Sequence, residues 1–507
     1  MTNTQHSSTR QRVRKNSDSR KGSKPSLLKV GQEQQETLRR MNVLNGQVHA
    51  GNSVRWLQQT VVAGKIVQRL LSKADFESSL AGQFIPDDEG NPMQVARWYM
   101  SHPERMVYEE MIFDPALYFQ DKGTKHVYDP ERPNHAALNL FTGWEISPNQ
   151  FGSCDRFYDH VRDNYTSGDP AVYKAVLDWM AHLFQNPGKP IGWALAVHGD
   201  MGSGKSVVSD VLMAIIGRKY SPVFTTPEAM LGKFNAAMGQ CILARVEEAF
   251  NPRDKRHIAT LRNILSGGDT LLELKGFDPV PVQLRANVIF TSNDIHFLNA
   301  GTQGERRYLV FRCSNGAQQD GDYFSALKRQ MKAGGYAKLM YDLLHRDISQ
   351  VDFTSPPRTV VLSQQIRCSM TGLDRWWADV LEAGELIYSG AAVSVEATGW
   401  SDWETDHPGK PYSPTKADVQ ASAASYAKDY AGRAPAPAEV GKFLLAQGAK
   451  VVRTKESGAR VQRYVLPGLD ACRIAFAAAR PGLSVNDLGA ADDAQLEGGE
   501  VISLRAA

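Results

Sequence analysis

The feature that most constrains this 507-residue chain is the octapeptide GDMGSGKS at residues 199–206. Its spacing is that of a P-loop, in which backbone N–H groups and a helix N-terminus converge on phosphate oxygens. Residues 192–198 predict a buried strand before the loop, and residues 207–216 predict a helix that ends at Gly217. The chain is therefore predicted to be an α/β protein with a parallel sheet and flanking helices.

The residues of this loop have distinct expected roles. Lys205 is expected to reach the β- and γ-phosphates of ATP, and Ser206 is expected to ligate Mg²⁺. The alternative is a chance glycine-rich turn. The candidate nucleotide-binding residues are Gly199, Asp200, Met201, Gly202, Ser203, Gly204, Lys205 and Ser206.

The amino-acid composition limits the classes of protein to which this chain can belong. With 42% hydrophobic and 22% charged residues, the sequence suits a globular chain of several domains, and its net charge of +3 does not by itself indicate a nucleic-acid binder. Residues 1–25 are basic, with Asp18 as their one acid, so we expect a disordered arm that is either a solvated tail or a DNA tether. The sequence contains no secretory signal and no apolar run long enough for a membrane helix, which predicts a cytoplasmic protein without a membrane partner. Five scattered cysteines argue against zinc.

A pair of carboxylates follows the next apolar strand. The run 241–246 ends in Glu247 and Glu248, a Walker B arrangement. One carboxylate can hold the Mg²⁺ shell, and the other can orient or deprotonate an attacking water. We assign Glu247 to the metal and Glu248 to the water, and the reverse order stays open, as does a strand that ends in solvated acids.

Two further motifs complete the set. A strand over 287–290 leads into Thr-Ser-Asn, where the amide of Asn293 can hold the nucleophilic water, although this motif alone is an ordinary turn. Arg306 and Arg307 can act as arginine fingers on developing phosphate charge. Their alternative is a surface salt-bridge cluster.

Together these motifs resemble those of a superfamily 3 helicase. GKFN at 232–235 and SGGD at 266–269 further resemble phage and plasmid primase-helicases of the poxvirus-like group. The resemblance covers residues 110–470 and is strongest over 170–312. It implies an AAA+ core that assembles as a homo-oligomeric ring, a hexamer, hydrolyses ATP with Mg²⁺ and translocates on single-stranded DNA.

The resemblance also implies a hairpin in the ring channel. Residues 271–280 fit that hairpin, so that Lys275 would contact a phosphate and Phe277 would pack on a base or sugar. Without the resemblance, this segment is simply a turn. Many relatives carry a primase domain, but the N-terminal region shows no convincing acidic primase motif, which predicts a separate primase or polymerase as partner.

The C-terminal part predicts a winged-helix-like domain. Helices over 415–430 and 438–447 precede a hairpin over 450–465. The candidate phosphate contacts on this hairpin are Arg453, Lys455 and Arg460.

The remaining organisation is predicted from local patterns. The N-terminal region is expected to be helical or α+β, with helices over 32–40 and 54–71 and short strands and loops over 107–152. The predicted domains are a disordered basic arm (1–30), an N-terminal region (31–165), a superfamily 3 ATPase domain (166–350), a helical connector (351–395), a winged-helix-like domain (396–470) and a disordered tail (471–507). Residues 395–415, rich in Gly, Pro, Ser and Asp, are predicted to mark the boundary before the winged-helix-like domain.

These observations favour an ATP-dependent replicative DNA helicase of a phage or mobile element that acts on single-stranded and forked DNA. Two alternatives stay open. One is a P-loop motor that packages DNA or remodels protein, and the other is an ATP-switched origin-binding protein. The sequence leaves unwinding polarity, exact ring size and loader open.

Overall fold

The structure is a computed structural model with side chains. It describes residues 27–51, 53–225, 229–230, 236–247, 255–272, 280–294, 306–370, 372–388, 399–430, 433–456, 458–480 and 483–489. The chain divides into two compact units, residues 1–112 with 121–142 and residues 113–120 with 143–507. None of the helices in the described ranges is long and apolar enough to cross a membrane.

The first unit is built around a mixed sheet. Its elements are α1 (Leu27–Leu44), β1 (Asn45–Ala50), β2 (Ser53–Val62), β3 (Lys65–Leu71), α2 (Lys73–Ser79), β4 (Phe84–Pro86), β5 (Pro92–Gln94), α3 (Val95–Ser101), β6 (Val107–Ile112), β7 (Lys125–His126) and β8 (His135–Asn139). Six strands follow the order β3-β2-β1-β6-β8-β7, and β4 pairs with β5. Because successive side chains of a strand point to opposite faces, Trp56 and Leu57 belong to different apolar clusters.

The predicted helix over residues 54–71 is wrong, whereas the helix over 32–40 is confirmed by α1. The structure has a hairpin of β2 and β3, with Val61 paired to Ile66. Ala63 (φ 49°) and Gly64 (φ 79°) form its turn, and two successive positive φ angles match the twist of a tight hairpin. The β-branched residues of this segment favour a pleated sheet, a preference that the apolar spacing alone did not reveal.

The second unit contains the other elements. They are α4 (Pro115–Asp121), α5 (Asp155–Asp159), α6 (Pro170–Gln185), β9 (Ala194–His198), α7 (Val207–Ile216), β10 (Val223–Phe224), β11 (Leu243–Glu247), α8 (Lys255–Leu265), β12 (Asp269–Leu272), β13 (Val280–Gln283), β14 (Asn287–Ser292), β15 (Tyr308–Arg312), α9 (Gly321–Gln330), α10 (Tyr336–His345), α11 (Val360–Ser369), α12 (Leu373–Ala383), α13 (Trp400–Asp406), α14 (Lys416–Tyr430), α15 (Pro437–Ala446), β16 (Lys450–Glu456), β17 (Ala459–Val465) and α16 (Leu469–Ala478). A π-helical segment, His160–Tyr165, continues α5. Within the region expected to hold only short strands and loops, α4 is a helix.

A parallel sheet forms the centre of the second unit. Its five strands follow the order β10-β11-β14-β9-β15, and every neighbouring pair is parallel. β9 and β14 are buried along their whole lengths, as expected for central strands of a sheet that is covered on both faces. The α/β fold with a parallel sheet is therefore present, and α7 ends at Gly217, whose φ of 97° suits glycine.

The C-terminal elements pack on the same core. One apolar cluster joins Val246 of the sheet to Trp376 of α12 and Tyr464 of β17. The predicted helices and hairpin are present as α14, α15 and the antiparallel pair β16–β17. An extended segment lies beside β17, where Tyr464 N donates to Pro414 O at 3.0 Å. The order of two helices followed by a hairpin is the one that the sequence predicts.

Two C-terminal segments hold helices that their composition does not suggest. The segment predicted as a domain boundary over 395–415 contains α13, whose Trp400 is buried and donates from its indole N–H to Pro467 O at 3.0 Å. The expected disordered tail from residue 471 is replaced at its start by α16, which buries Cys472 and Phe476. Individual apolar side chains outweigh the Gly-, Pro- and Ala-rich composition around them. Residues 490–507 lie outside the described part of the chain, and the other domain boundaries stay predictions.

Candidate nucleotide site

Three of the predicted site elements lie at the carboxyl edge of the parallel sheet. β14 lies between β9 and β11, with Ser292 paired to His198 and Thr291 paired to Glu247. Parallel strands direct whatever follows them to the same edge of the sheet. The glycine-rich loop, Asn293 and the carboxylate of Glu247 therefore emerge side by side.

The glycines of the loop are required by its geometry. Gly202 has φ 81° and Gly204 has φ 93°, which are conformations that L residues rarely adopt. A Cβ atom on Gly204 would lie 2.6 Å from the His160 ring and 2.8 Å from the Phe324 ring. The loop then enters α7 with Ser206 at the N-cap, so that the orphan N–H groups and dipole of the helix face the space beside the loop.

Lys205 contacts two acceptors at this edge. Its ammonium donates to Asn293 Oδ1 at 2.6 Å and to the carbonyl oxygen of Asp200 at 3.2 Å. Partial burial lowers the pKa of Lys205, while the Asp200 carboxylate opposes that shift. The structure thus brings together a cation, an amide and a glycine-rich loop, which is an arrangement able to hold phosphate oxygens.

Glu247 is held by a residue that the sequence analysis did not identify. Arg245, two residues earlier on the same face of β11, donates to Glu247 Oε1 at 2.8 Å and also pairs with Asp210 of α7. Its side chain is 12% exposed. The period of two along a strand predicts that Arg245 and Glu247 share a face, but the Asp210 contact depends on the fold. Glu248 lies outside the described residues.

The segment that follows β15 braces the loop. Gln319 N donates to Gly202 O at 3.1 Å, and Gln318 Nε2 donates to Met201 O at 3.1 Å. Asn315 donates to the Asp200 carboxylate. This segment reaches the loop because Arg312 pairs with His198 at the end of β9. That the segment after β15 lies beside the loop after β9 follows only from the strand order.

His160 supports the loop from the side of the π-helical segment. Its Nε2 lies 3.2 Å from Gly204 O, and its Nδ1 lies 3.2 Å from the Tyr323 hydroxyl. Burial lowers the pKa of His160 to about 4, so that the ring is neutral at pH 7 and donates from one nitrogen only. Sequence reasoning missed this residue, because a lone histidine 44 positions before Gly204 carries no local signal.

Arg306 and Arg307 lie at the opposite edge of the sheet. Arg307 O accepts from Ala194 N at 2.8 Å, which places both arginines at the amino ends of β15 and β9. The five residues of β9 span about 13 Å, at about 3.3 Å for each step between residues. Within one chain, these arginines are therefore a strand length away from the end of β9 at which the loop begins.

The predicted DNA-contact residues fall into two groups. Lys275 and Phe277 lie outside the described residues, although the flanking strands β12 and β13 pair antiparallel as a hairpin requires. Arg453, Lys455 and Arg460 are exposed on β16 and β17, and the last two face each other across the hairpin. A neighbouring cation, Arg463, instead lies over the Trp403 ring and donates to Ser413 O at 2.6 Å.

The candidate Mg²⁺ ligands are oxygen donors of the right kind. Ser206 makes no side-chain capping bond, and the Glu247 carboxylate is 39% exposed. A hydroxyl and one carboxylate, completed by phosphate oxygens and waters, suit the octahedral preference of Mg²⁺. Within the described ranges, no group of three or more His, Cys, Asp or Glu residues could hold a metal without such partners.

Comparisons with known proteins support the fold. Residues 197–307 match a family model described as a family of unknown function, DUF5906. The chain is similar to the A form apo structure of the NrS-1 C-terminal region, with a TM-score of 0.59 and 11% identity over 85% of this chain and 99% of that one. It is also similar to the apo structure of NrS-1 residues 305–718, with a TM-score of 0.58 and 13% identity over 85% and 98% of the two chains. No curated protein matches significantly.

Proposed function

We propose that this chain is an ATP-dependent DNA helicase of phage or mobile-element replication. One observation carries the proposal, namely the contact between Lys205 and Asn293 beside a glycine-rich loop that leads into a helix N-terminus. The motif resemblance to superfamily 3 helicases and the fold shared with the NrS-1 C-terminal region support it.

In the proposed reaction, the loop holds the triphosphate of ATP. Backbone N–H groups of residues 199–206 and the start of α7 bind phosphate oxygens, and Lys205 neutralises charge on the β- and γ-phosphates. Asn293 orients the attacking water through its amide, and Glu248 accepts the proton from that water. His160 and the 313–319 segment hold the loop in shape before the reaction begins.

Ser206 and Glu247 would hold Mg²⁺ in this proposal. The ion supplies neutralisation of phosphate charge when it is bound. Because Arg245 donates to Glu247, the carboxylate is oriented from within its own strand. Lys205 places a cation directly beside the loop, which suits an anionic substrate.

The position of the arginines favours a ring. Arg306 and Arg307 lie at the far edge of their own sheet, so that they can act on phosphate only in a neighbouring subunit. An interface that presents one edge to the opposite edge of the next copy is heterologous, and it forms a ring when the rotation between successive copies closes. The motif resemblance implies that this ring is a hexamer.

Two surfaces are proposed to contact DNA. Lys275 and Phe277, between β12 and β13, would follow single-stranded DNA through the ring, and Arg453, Lys455 and Arg460 would contact duplex phosphates at the fork. A separate primase or polymerase would act with the ring.

The proposal is tested by ATP hydrolysis with and without single-stranded DNA, coupled to strand displacement on forked DNA and to size measurement. The wild-type chain should hydrolyse ATP faster with DNA and displace a strand. Lys205→Ala should lose both activities and keep its melting temperature, because it removes a phosphate contact and no core packing. Lys332→Ala, an exposed lysine of the same unit, is the matched control.

The same assays separate the alternatives. DNA-stimulated hydrolysis without strand displacement by an assembled ring would favour a packaging or remodelling motor. ATP binding that alters duplex affinity without turnover would favour an origin-binding switch, for which the winged-helix order of elements at the C-terminal end is the supporting observation.

A further inference from the structure

A cleft of about 730 Å³ opens in the first unit, apart from the nucleotide site. It lies where the end of α1, strands β2 and β3 and the loop over residues 121–127 meet. Its size is within the range of small-molecule and cofactor sites. None of the residues discussed for ATP hydrolysis lines it.

One wall of the cleft is aliphatic and exposed. Val43 is 71% exposed and Val61 is 65% exposed, and Ile66, the cross-strand partner of Val61, lies beside them. Exposed apolar side chains that line a concave surface suit the apolar part of a ligand. A planar, weakly polar group such as a nucleic-acid base would cover them.

A second part of the lining, from residues 122–125, is basic. Arg39, Lys122 and Lys125 line the cleft, and the one carboxylate among its lining residues, Asp121, is bound to His126. Partial burial lowers the pKa of Lys125, and no carboxylate in the described ranges lies within ion-pair distance of its ammonium. Burial removes part of the hydration that stabilises the charged ammonium of Lys125. An anion bound beside that ammonium would stabilise the charged form again.

The basic wall is fixed to the sheet by a buried polar contact. Thr124 Oγ1 donates to Gln59 Oε1 at 2.9 Å, and both residues are less than a tenth exposed. Lys122 adopts φ 57°, which is costly for a lysine and indicates that the loop shape is imposed by its surroundings. Since the amide oxygen of Gln59 is engaged, its amide N–H₂ can donate to a base edge.

We propose that this cleft binds one nucleotide unit, with the base on the aliphatic wall and the phosphate on Lys122 and Lys125. The same chemistry is offered by a strand of single-stranded DNA and by a free nucleotide. We favour single-stranded DNA as the ligand, because a second DNA-binding site besides the channel hairpin would suit the proposed replication motor. The site does not depend on ATP hydrolysis at Lys205.

The test is lysine footprinting of the full chain. Acetylation of Lys122 and Lys125 is followed by mass spectrometry with no ligand, with oligo(dT), and with thymidine or adenosine monophosphate. Saturating strand should slow acetylation of both lysines at least about threefold, because a phosphate paired with an ammonium disfavours the neutral amine that reacts. Lys73, exposed elsewhere in the same unit, should not change.

Two valine variants supply matched controls. Val61→Glu places a carboxylate on the cleft wall, whereas Val62→Glu places it at similar exposure on the other face of the same strand. Protection by oligo(dT) should disappear in Val61→Glu and persist in Val62→Glu, with equal melting temperatures. Protection by a monophosphate alone would support the site and identify a free nucleotide as its ligand. No protection by either ligand, or equal loss in both variants, would overturn the proposal.

Discussion

Lys205 and Asn293 are 88 residues apart in sequence, yet the Lys205 ammonium donates to the Asn293 amide oxygen at 2.6 Å. The contact exists because β14 inserts beside β9, so that the segments after both strands share one edge. A cation and an amide in contact at a glycine-rich loop can act on the same phosphate and on the water beside it. In the proposed function, Asn293 is a positioning group for hydrolysis, and this contact supports that role.

Asn293→Ala is expected to lower kcat for ATP hydrolysis by about 100- to 1,000-fold, the usual cost of one well-placed polar group in a transition state. Nucleotide affinity should change much less, because the loop and Lys205 remain. Steady-state hydrolysis and binding of a fluorescent ATP analogue measure the two effects. Asp294→Ala, the exposed neighbour, is the control. Wild-type turnover by Asn293→Ala would remove the residue from the mechanism.

The two glutamates should separate by phenotype. Glu248→Gln is expected to bind ATP and hydrolyse it poorly, because the base is lost while the metal shell stays. Glu247→Gln should weaken Mg²⁺-dependent binding, since one oxygen ligand loses its charge. Affinity measured across Mg²⁺ concentrations, together with single-turnover hydrolysis, tells them apart. If the two phenotypes are exchanged, the assigned roles are reversed.

Arginine variants should complement a loop variant in mixed rings. Arg306→Ala or Arg307→Ala is expected to abolish hydrolysis, and mixing it with Lys205→Ala should restore part of the activity. The reason is that a mixed interface can combine an intact loop with an intact arginine. Arg329→Ala, an exposed arginine on α9 of the same unit, is the control and should hydrolyse ATP unaided. An absence of recovery in rings that demonstrably exchange subunits would place the arginines in a structural role.

Stability should fall in mild acid because of His160. Burial lowers its pKa from the ordinary 6.5 to about 4. Between these pH values, His160 is protonated in the unfolded chain but neutral in the folded form. The free energy of unfolding should therefore fall by about 1.4 kcal/mol for each pH unit between 6.5 and 4 from this residue. His182, with its pKa lowered by burial to about 4, adds a similar slope.

Denaturant unfolding at pH 7, 6 and 5 tests this expectation. His160→Gln should show a shallower decline than the wild-type chain, whatever its stability at pH 7. His345→Gln, which alters an exposed histidine of the same unit, is the matched control. Equal slopes for His160→Gln and the wild-type chain would show that His160 is protonated equally in both states.

The sequence predicted the parts of the fold that local pattern controls. The strand, loop and helix around Lys205 have fixed spacing, and the C-terminal hairpin has alternating residues on either side of a turn. The helix predicted over Val54–Leu71 is wrong, and the segment is a hairpin. Its apolar residues fit a helical period, but its two-residue turn and β-branched residues favour the hairpin.

The site could be predicted only where its residues follow strands. Lys205, Glu247 and Asn293 could be placed at one edge, since each follows or ends an apolar run. Arg245, His160 and the 313–319 segment could not, because their contacts depend on strand order and on a π-helical segment far away in sequence. Such long-range contacts leave no periodicity to detect.

The C-terminal hairpin should bind duplex phosphates without base specificity. Replacing Arg453, Lys455 and Arg460 by glutamine removes three exposed cations and no buried contact. Duplex affinity should fall, and the slope of log affinity against log salt should decrease by about 2.7, at about 0.9 for each phosphate contact. Fluorescence anisotropy with a labelled duplex across salt concentrations measures both quantities.

Two controls separate charge from structure in that experiment. Lys410→Gln removes an exposed cation of the same unit outside the hairpin and should leave the slope unchanged. Arg463→Gln removes a cation committed to Trp403 and Ser413, so that it should lower the melting temperature more than the salt slope. Basal ATP hydrolysis by the triple variant should match that of the wild-type chain, because the loop at 199–206 is untouched. A triple variant with unchanged duplex affinity and salt slope would make the hairpin a protein-docking surface instead.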